Sequence, residues 1–160
     1  MIDHVKMSNE ATLLGNCFIS VEDVAKCMID DPINVAITHM IDKHFCYIPV
    51  LDNNDNHVVG VFSISTLMRI VGDRVANRNL APLGSIQTYL KDHKVEAFPF
   101  VSLTDSVANV QKVWKRIQEQ GKHVGLFLVT DNGKEDEPLR GIFTEWDFAK
   151  ASAGSLRNKE

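Results

Sequence analysis

Two stretches of this chain share one form, roughly half the sequence apart. Gly60-Val61-Phe62-Ser63-Ile64-Ser65-Thr66-Leu67 and Gly141-Ile142-Phe143-Thr144-Glu145-Trp146-Asp147-Phe148 each read as a β-strand turning sharply into a helix, with a hydroxyl residue at the junction. A junction that occurs twice implies an internal duplication, and this constrains the fold strongly: whatever one half adopts, the other must adopt as well. The halves register without gaps from Lys43-His44 against Lys122-His123 through Asp52 against Asp131. After a loop two residues longer in the second copy, Gly60 meets Gly141, Phe62 meets Phe143 and Ser63 meets Thr144.

Taken in order, residues 1–18 form an N-terminal extension with a short helix before Gly15-Asn16. Ser20 to Ala25 reads as a helix start, Ser20 as cap and Asp23 at the third helical position. Met28-Ile29 is a very short strand. Asp31-Pro32 gives a capping carboxylate followed by Pro at the first helical position, and the helix carries Ile33, Ala36, Ile37, Met40 and Ile41 on one face. Strands follow at Cys46–Leu51, with Cys46 as a small core residue, and His57–Phe62, joined by the polar turn Asp52 to Asn56. Ser63 opens a helix with Leu67, Met68, Ile70 and Val71 that ends near Gly72.

The first repeat thus spans 19–72, a linker 73–84, the second repeat 85–153, and a frayed tail 154–160. In the second repeat a short helix covers Ile86 to Lys91 and a strand Phe98 to Leu103. Thr104 or Asp105 caps a helix with the apolar face Val107, Val110, Val113, Trp114 and Ile117. Gly121 ends that helix. Strands run from His123 to Val129 and Leu139 to Phe143, and Thr144 opens the last helix, with Trp146, Phe148, Ala149 and Ala151. Each half is helix, strand, helix, strand, strand, helix: an α+β unit with a small three-stranded sheet. Such a sheet cannot bury both faces alone, so the copies are expected to pack as a pseudo-symmetric pair.

Composition excludes several function classes. A net charge of −4 with scattered Lys and Arg gives no basic footprint for nucleic acid. Three cysteines without paired spacing argue for free thiols and a cytoplasmic protein. There is no signal peptide, and no long apolar run to span a membrane. The chain, which begins with Met, reads as near full length. No nucleophile stands beside a base and an orienting acid, and no Gly-rich phosphate loop or metal-ligand spacing occurs, so an enzyme is not expected. Asp52-Asn53-Asn54-Asp55-Asn56 has His57 where a calcium loop needs Gly and Ser63 where it needs Glu, so it reads as a solvated turn.

Ile48-Pro49-Val50-Leu51-Asp52 with Val59-Gly60-Val61-Phe62-Ser63 resembles the strand pair of a cystathionine β-synthase (CBS) domain. Leu128-Val129-Thr130-Asp131 with Arg140-Gly141-Ile142-Phe143-Thr144-Glu145-Trp146-Asp147 resembles the same pair again. The resemblance implies a tandem CBS (Bateman) module, a homodimer, and an adenosine-containing ligand such as AMP, ADP, ATP, S-adenosylmethionine or cyclic di-AMP, with no separate cofactor. It further implies signalling to a protein partner that the sequence does not identify.

The family's ligand motif is a Gly, two residues, Ser or Thr, two residues, then Asp. Gly141, Thr144 and Asp147 fit it. Gly60 and Ser63 fit in the first copy, but Thr66 replaces the Asp, making that cleft the weaker one. On this resemblance Asp147 would accept from the ribose hydroxyls and Thr144 would meet phosphate at the helix start. Val101 would flank the adenine, Ser102 would reach its edge or the ribose, and Lys122 or His123 would contact phosphate in this cleft or the other. Two plainer readings stand beside it. Thr144 and Asp147 also fit a helix capping box, and the module could serve protein interaction or dimerisation with vestigial clefts.

Overall fold

The computed structural model describes residues 13–90 and 95–157, the side chains of 152–157 excepted. The readings of residues 1–12, Lys91 and 158–160 lie outside them. A leading strand β1 (Ile19–Ser20) precedes the first repeat's β2 (Cys27–Met28), α1 (Ile33–Lys43), β3 (Tyr47–Leu51), β4 (Val58–Ser63) and α2 (Ile64–Asn77). The second repeat has β5 (Glu96–Ala97), β6 (Phe100–Ser102), α3 (Val107–Glu119), β7 (His123–Val124), β8 (Phe127–Thr130), β9 (Gly141–Phe143) and α4 (Glu145–Arg157). The architecture is α+β, with sheets ordered β2-β3-β4, β1-β9-β8-β6 and β5-β7.

Alternation along the strands explains why the two repeats pack as one body. Ile48 and Val50 of β3 and Phe62 of β4 face α1 and α2 in one core, while Leu51 and Val61 face the other repeat. The second repeat does the same: Phe127, Val129 and Phe143 pack on its own helices, and Leu126, Leu128 and Ile142 on the first repeat. A period of two thus distributes one apolar run between two cores, so each sheet buries side chains on both faces.

The repeats also exchange their leading segments. Leu14, within a 3₁₀ turn at Leu14–Asn16, is buried in the second repeat's core, and β1 pairs antiparallel with β9. Reciprocally Ile86, in a 3₁₀ turn at Ile86–Tyr89, is buried in the first repeat's core. The second repeat's sheet therefore has four strands rather than the expected three.

Several local expectations are corrected. Residues 21–24 form a turn, not a helix, because β1 is held on β9 and the Asp23 N–H donates to the Ser20 carbonyl at 2.9 Å. Asp31 does not cap α1; its carboxylate accepts from the Met28 N–H at 2.8 Å, closing the turn that precedes the helix. Asp105 does the same for Ser102 at 2.9 Å, leaving Ser106 as the cap of α3. The strand expected from His123 to Val129 breaks at Gly125-Leu126 into β7 and β8, which belong to different sheets. Helix α2 continues past Gly72 to Asn77, and α4 runs on to Arg157. Ile41, Met68 and Val71, expected in the core, are exposed, as is Cys46.

Candidate functional site

A cleft of about 430 Å³ opens at the second strand-to-helix junction, lined there by Thr144, Glu145, Trp146, Asp147 and Lys150. Because the leading segments are exchanged, its opposite wall comes from the first repeat: Ile19, Asp23, Val24 and Ala25. Its floor is β7 and the Gly125 break, where a side chain at 125 would stand 2.5 Å from the Phe98 ring and 2.6 Å from that of Tyr47. Phe98 and Tyr47 pack edge to face with centroids 5.7 Å apart. Burial pushes the Tyr47 phenol above its ordinary pKa, and the negative charges of Glu96, Cys46 and Glu145 add to this, so the hydroxyl remains a proton donor.

Asp147 is 3 % exposed. Its Oδ2 accepts from both the Thr144 N–H and the Thr144 hydroxyl, at 2.8 Å each, which is one half of a capping box. Oδ1 is left facing the Lys150 ammonium at 4.0 Å. Both donors of Thr144 are therefore engaged on Asp147, so in this geometry its hydroxyl offers lone pairs to the cleft and no hydrogen for a phosphate. The amides of Glu145 and Trp146, in the first turn of α4, have no intrahelical acceptor and are the backbone donors available to an anion there. Lys150, His44 and His123 bring cationic or titratable nitrogen to the same cleft, against the carboxylates of Asp23 and Glu145.

Of the other residues singled out from sequence, His123 shares the cleft and the rest fall elsewhere. Gly141 lies beneath β1, not in the cleft: a methyl there would stand 2.0 Å from the Ile19 carbonyl oxygen and 2.4 Å from the Phe18 ring. Val101 is buried in the second repeat's core. Ser102 donates to the Asp131 carbonyl at 2.8 Å, holding the end of β6. Neither lines this cleft, because the second junction faces the first repeat's leading segment rather than its own. Lys122 is exposed outside the lining, whereas His123 is in it together with His44, its counterpart by duplication. Trp146, whose position between two ligand-motif residues suits either packing or facing a cleft or dimer partner, is 79 % exposed and lines the cleft. It is Trp114 that stacks on Phe148 at 5.6 Å.

The first junction is closed. Ser63 and Thr66 are fully buried, and Leu90 lies over Gly60, 3.2 Å from where a side chain would begin. Glu96, buried and supplied by the second repeat, accepts from the Ser63 and Ser65 hydroxyls at 2.9 Å each. The polar turn 52–57 brings Asp52, Asp55 and His57 within 4.8 Å of one another. There Asp52 Oδ1 accepts from the Asp55 and His57 amides at 3.1 Å, the hydrogen bonding of a local turn. Among the described residues no helix is long and apolar enough to cross a membrane.

Sequence reasoning missed Ile19, Asp23, Val24, Ala25, Tyr47 and Lys150 as cleft residues. No local signal marks the first four, since their place depends on a pairing between the two ends of the chain.

Comparison with known proteins bears on the architecture. A family model described as the CBS domain matches residues 19–73 and 89–154. Among curated proteins no match was found. The fold is similar to CBSX2 in complex with AMP (16 % identity, 91 % of this chain and 98 % of that one, TM-score 0.66). It is also similar to CbpB in complex with c-di-AMP (17 %, 92 % and 89 %, 0.65). A CBS domain-containing protein from Bacillus anthracis gives 19 %, 92 % and 94 %, with a TM-score of 0.63. At these identities the likeness is one of fold.

Proposed function

This chain belongs to the CBS domain family, and on that premise we propose that it is a regulatory CBS-pair module binding one adenosine-containing nucleotide per chain at the second junction. The observation that carries the reading is the state of Asp147: a buried carboxylate in the cleft lining, with Oδ2 fixed by Thr144 and Oδ1 facing Lys150. Adjacent ribose hydroxyls are two donors on one edge, and a carboxylate held this way accepts from them without reorganising. Val24, Ala25 and Leu126 supply apolar wall for a base. Lys150, the first amides of α4 and the two histidines face the phosphate end. That CBSX2 and CbpB are complexed with AMP and c-di-AMP supports the ligand class.

The module acts as a homodimer in the cytoplasm, a compartment that suits three free thiols, and signals through a protein partner. Along α2, Ile64, Met68, Val71 and Val75 are 41, 62, 45 and 74 % exposed at alternating spacings of four and three, the pattern of a helix seam. This stripe supports dimerisation through the first repeat. Ligand binding would regulate only by favouring one arrangement of the pair over another.

Calorimetric titration of AMP, ADP, ATP, S-adenosylmethionine and cyclic di-AMP into wild type and Asp147→Asn tests the reading. The substitution keeps the side chain's shape and one oxygen for Thr144 but puts a donor where the ribose donors point. Binding about 10- to 100-fold weaker in the variant is expected, equivalent to the roughly 1.5–3 kcal/mol of hydrogen bonding to a charged group. The variant's melting temperature separates this from loss of the cap. Silence from every ligand in wild type would leave the interaction module as the better reading, and binding indifferent to Asp147→Asn would move the site.

A further inference from the structure

The duplication relates the two junctions, yet their hydroxyls are engaged differently. Ser63 Oγ lies 2.9 Å from Glu96 Oε2, 3.2 Å from the Thr66 N–H and 3.2 Å from Thr66 Oγ1. A serine hydroxyl has one hydrogen and two lone pairs. Its hydrogen goes to the carboxylate, so both lone pairs receive from Thr66, whose hydroxyl must donate. Ser63 is then saturated. Ser65 donates to the other carboxylate oxygen, Oε1, at 2.9 Å. Ser63, Thr66 and Glu96 are 0, 1 and 7 % exposed, whereas Ser65 lies at the exposed side of the junction. At the second junction Thr144 and Asp147 line an open cleft instead.

We infer that Glu96 is a resident anion of the first junction: it occupies the Ser63–Ser65 hydroxyl pair at the start of α2 and excludes external phosphate from it. The carboxylate lacking at Thr66 is thus supplied from the other repeat, and it stands in the ligand's place rather than beside it. An incoming phosphate would have to displace a buried carboxylate from two hydroxyl donors at the start of a 14-residue helix. It would also meet that carboxylate's charge at short range. Glu96 reaches the junction because β5 pairs in parallel with β7, Glu96 opposite His123. His123 lines the second cleft, so one two-stranded ribbon closes the first junction and forms part of the open one.

The exclusion of phosphate stands on this geometry alone, while its extension to nucleotides rests on the function proposed above. The test is a ¹H–¹⁵N titration of the full chain with inorganic phosphate, following the amides of Ile64, Ser65 and Thr66. In wild type they should stay still. In Glu96→Ala they should move saturably, with phosphate held at least tenfold more tightly, and AMP should reach a stoichiometry one higher per chain than in wild type. Glu96→Ser, which keeps a polar group on β5, serves the same purpose if the alanine variant unfolds.

Saturable movement of these amides in wild type would overturn the inference. So would their immobility in a folded Glu96 variant. If phosphate behaves as expected but AMP binds neither protein, the resident anion stands and the nucleotide reading fails.

Discussion

Gly141→Ala would distinguish a glycine kept for a ligand from one kept for a strand. The added methyl would lie 2.0 Å from the Ile19 carbonyl oxygen and 2.4 and 2.5 Å from two Phe18 ring carbons. The first of these atoms is backbone and cannot rotate away, so β1 must move off β9. That endangers the pairing of Ile19 with Ile142 and Ser20 with Gly141, and the 2.8 Å bond from the Val21 N–H to the Arg140 carbonyl. Overpacking of this kind costs about 1–3 kcal/mol, and each lost hydrogen bond about 0.5–1.5 kcal/mol. Removing a strand glycine returns roughly 0.5–1 kcal/mol. The net expectation is a destabilisation of about 3 kcal/mol, or about 6–12 °C in melting temperature for a chain of this size.

Urea unfolding of wild type and variant, with the slope compared, measures it. Gly72→Ala is the control, because nothing lies within 4 Å of a methyl at that position in α2. It should stabilise by about 0.5–1 kcal/mol. A Gly141→Ala protein within about 0.5 kcal/mol of wild type would refute the reasoning, since β1 would then not be packed as described.

Other outcomes follow from the same structure. Met68→Glu with Val75→Lys should turn a dimer into a monomer in sedimentation velocity with little change in monomer stability; a dimer that survives places the interface elsewhere. With Ellman's reagent at pH 8, Cys46 should react fast and Cys27 only on unfolding, because burial and then the Asp31 charge push its pKa to about 12. Cys17 is raised by burial and then by Asp147, so Asp147→Asn should speed its labelling; an unchanged rate would contradict that proximity. The Glu137 carboxylate accepts from the Asn132 side chain and backbone and should titrate at about 2 instead of 4.5. Its folded pKa is the lower one, so the stabilisation of the 131–137 turn is complete above pH 4.5 and lost on acidification towards 2. Carbon-detected titration of Glu137 near its ordinary value would show that the turn does not hold it.

Much of the fold was legible because it is local and repeated. The α1 and α3 faces follow from apolar spacing, the strand pairs from alternation, and the starts of α2 and α4 from a hydroxyl at each junction. Ile41, Met68 and Val71 were misplaced because periodicity marks an apolar stripe without saying whether this chain or a second copy covers it. Asp31 and Asp105 were misjudged as caps because a carboxylate before a helix can equally close the preceding turn, and only the backbone geometry chooses.

The sequence by itself determined the duplication, the paired architecture, the pairing of Thr144 with Asp147 and the absence of a carboxylate at Thr66. Those are properties of residue type and spacing, which act over one turn or one strand. Tertiary structure alone decided the exchange of leading segments. That exchange put Asp23, Val24 and Ala25 opposite Asp147, removed Val101 and Ser102 from the cleft, laid β1 on Gly141 and brought Glu96 to Ser63. Each is a contact between repeats, and a repeat's own sequence carries no record of which segment of its twin will complete it.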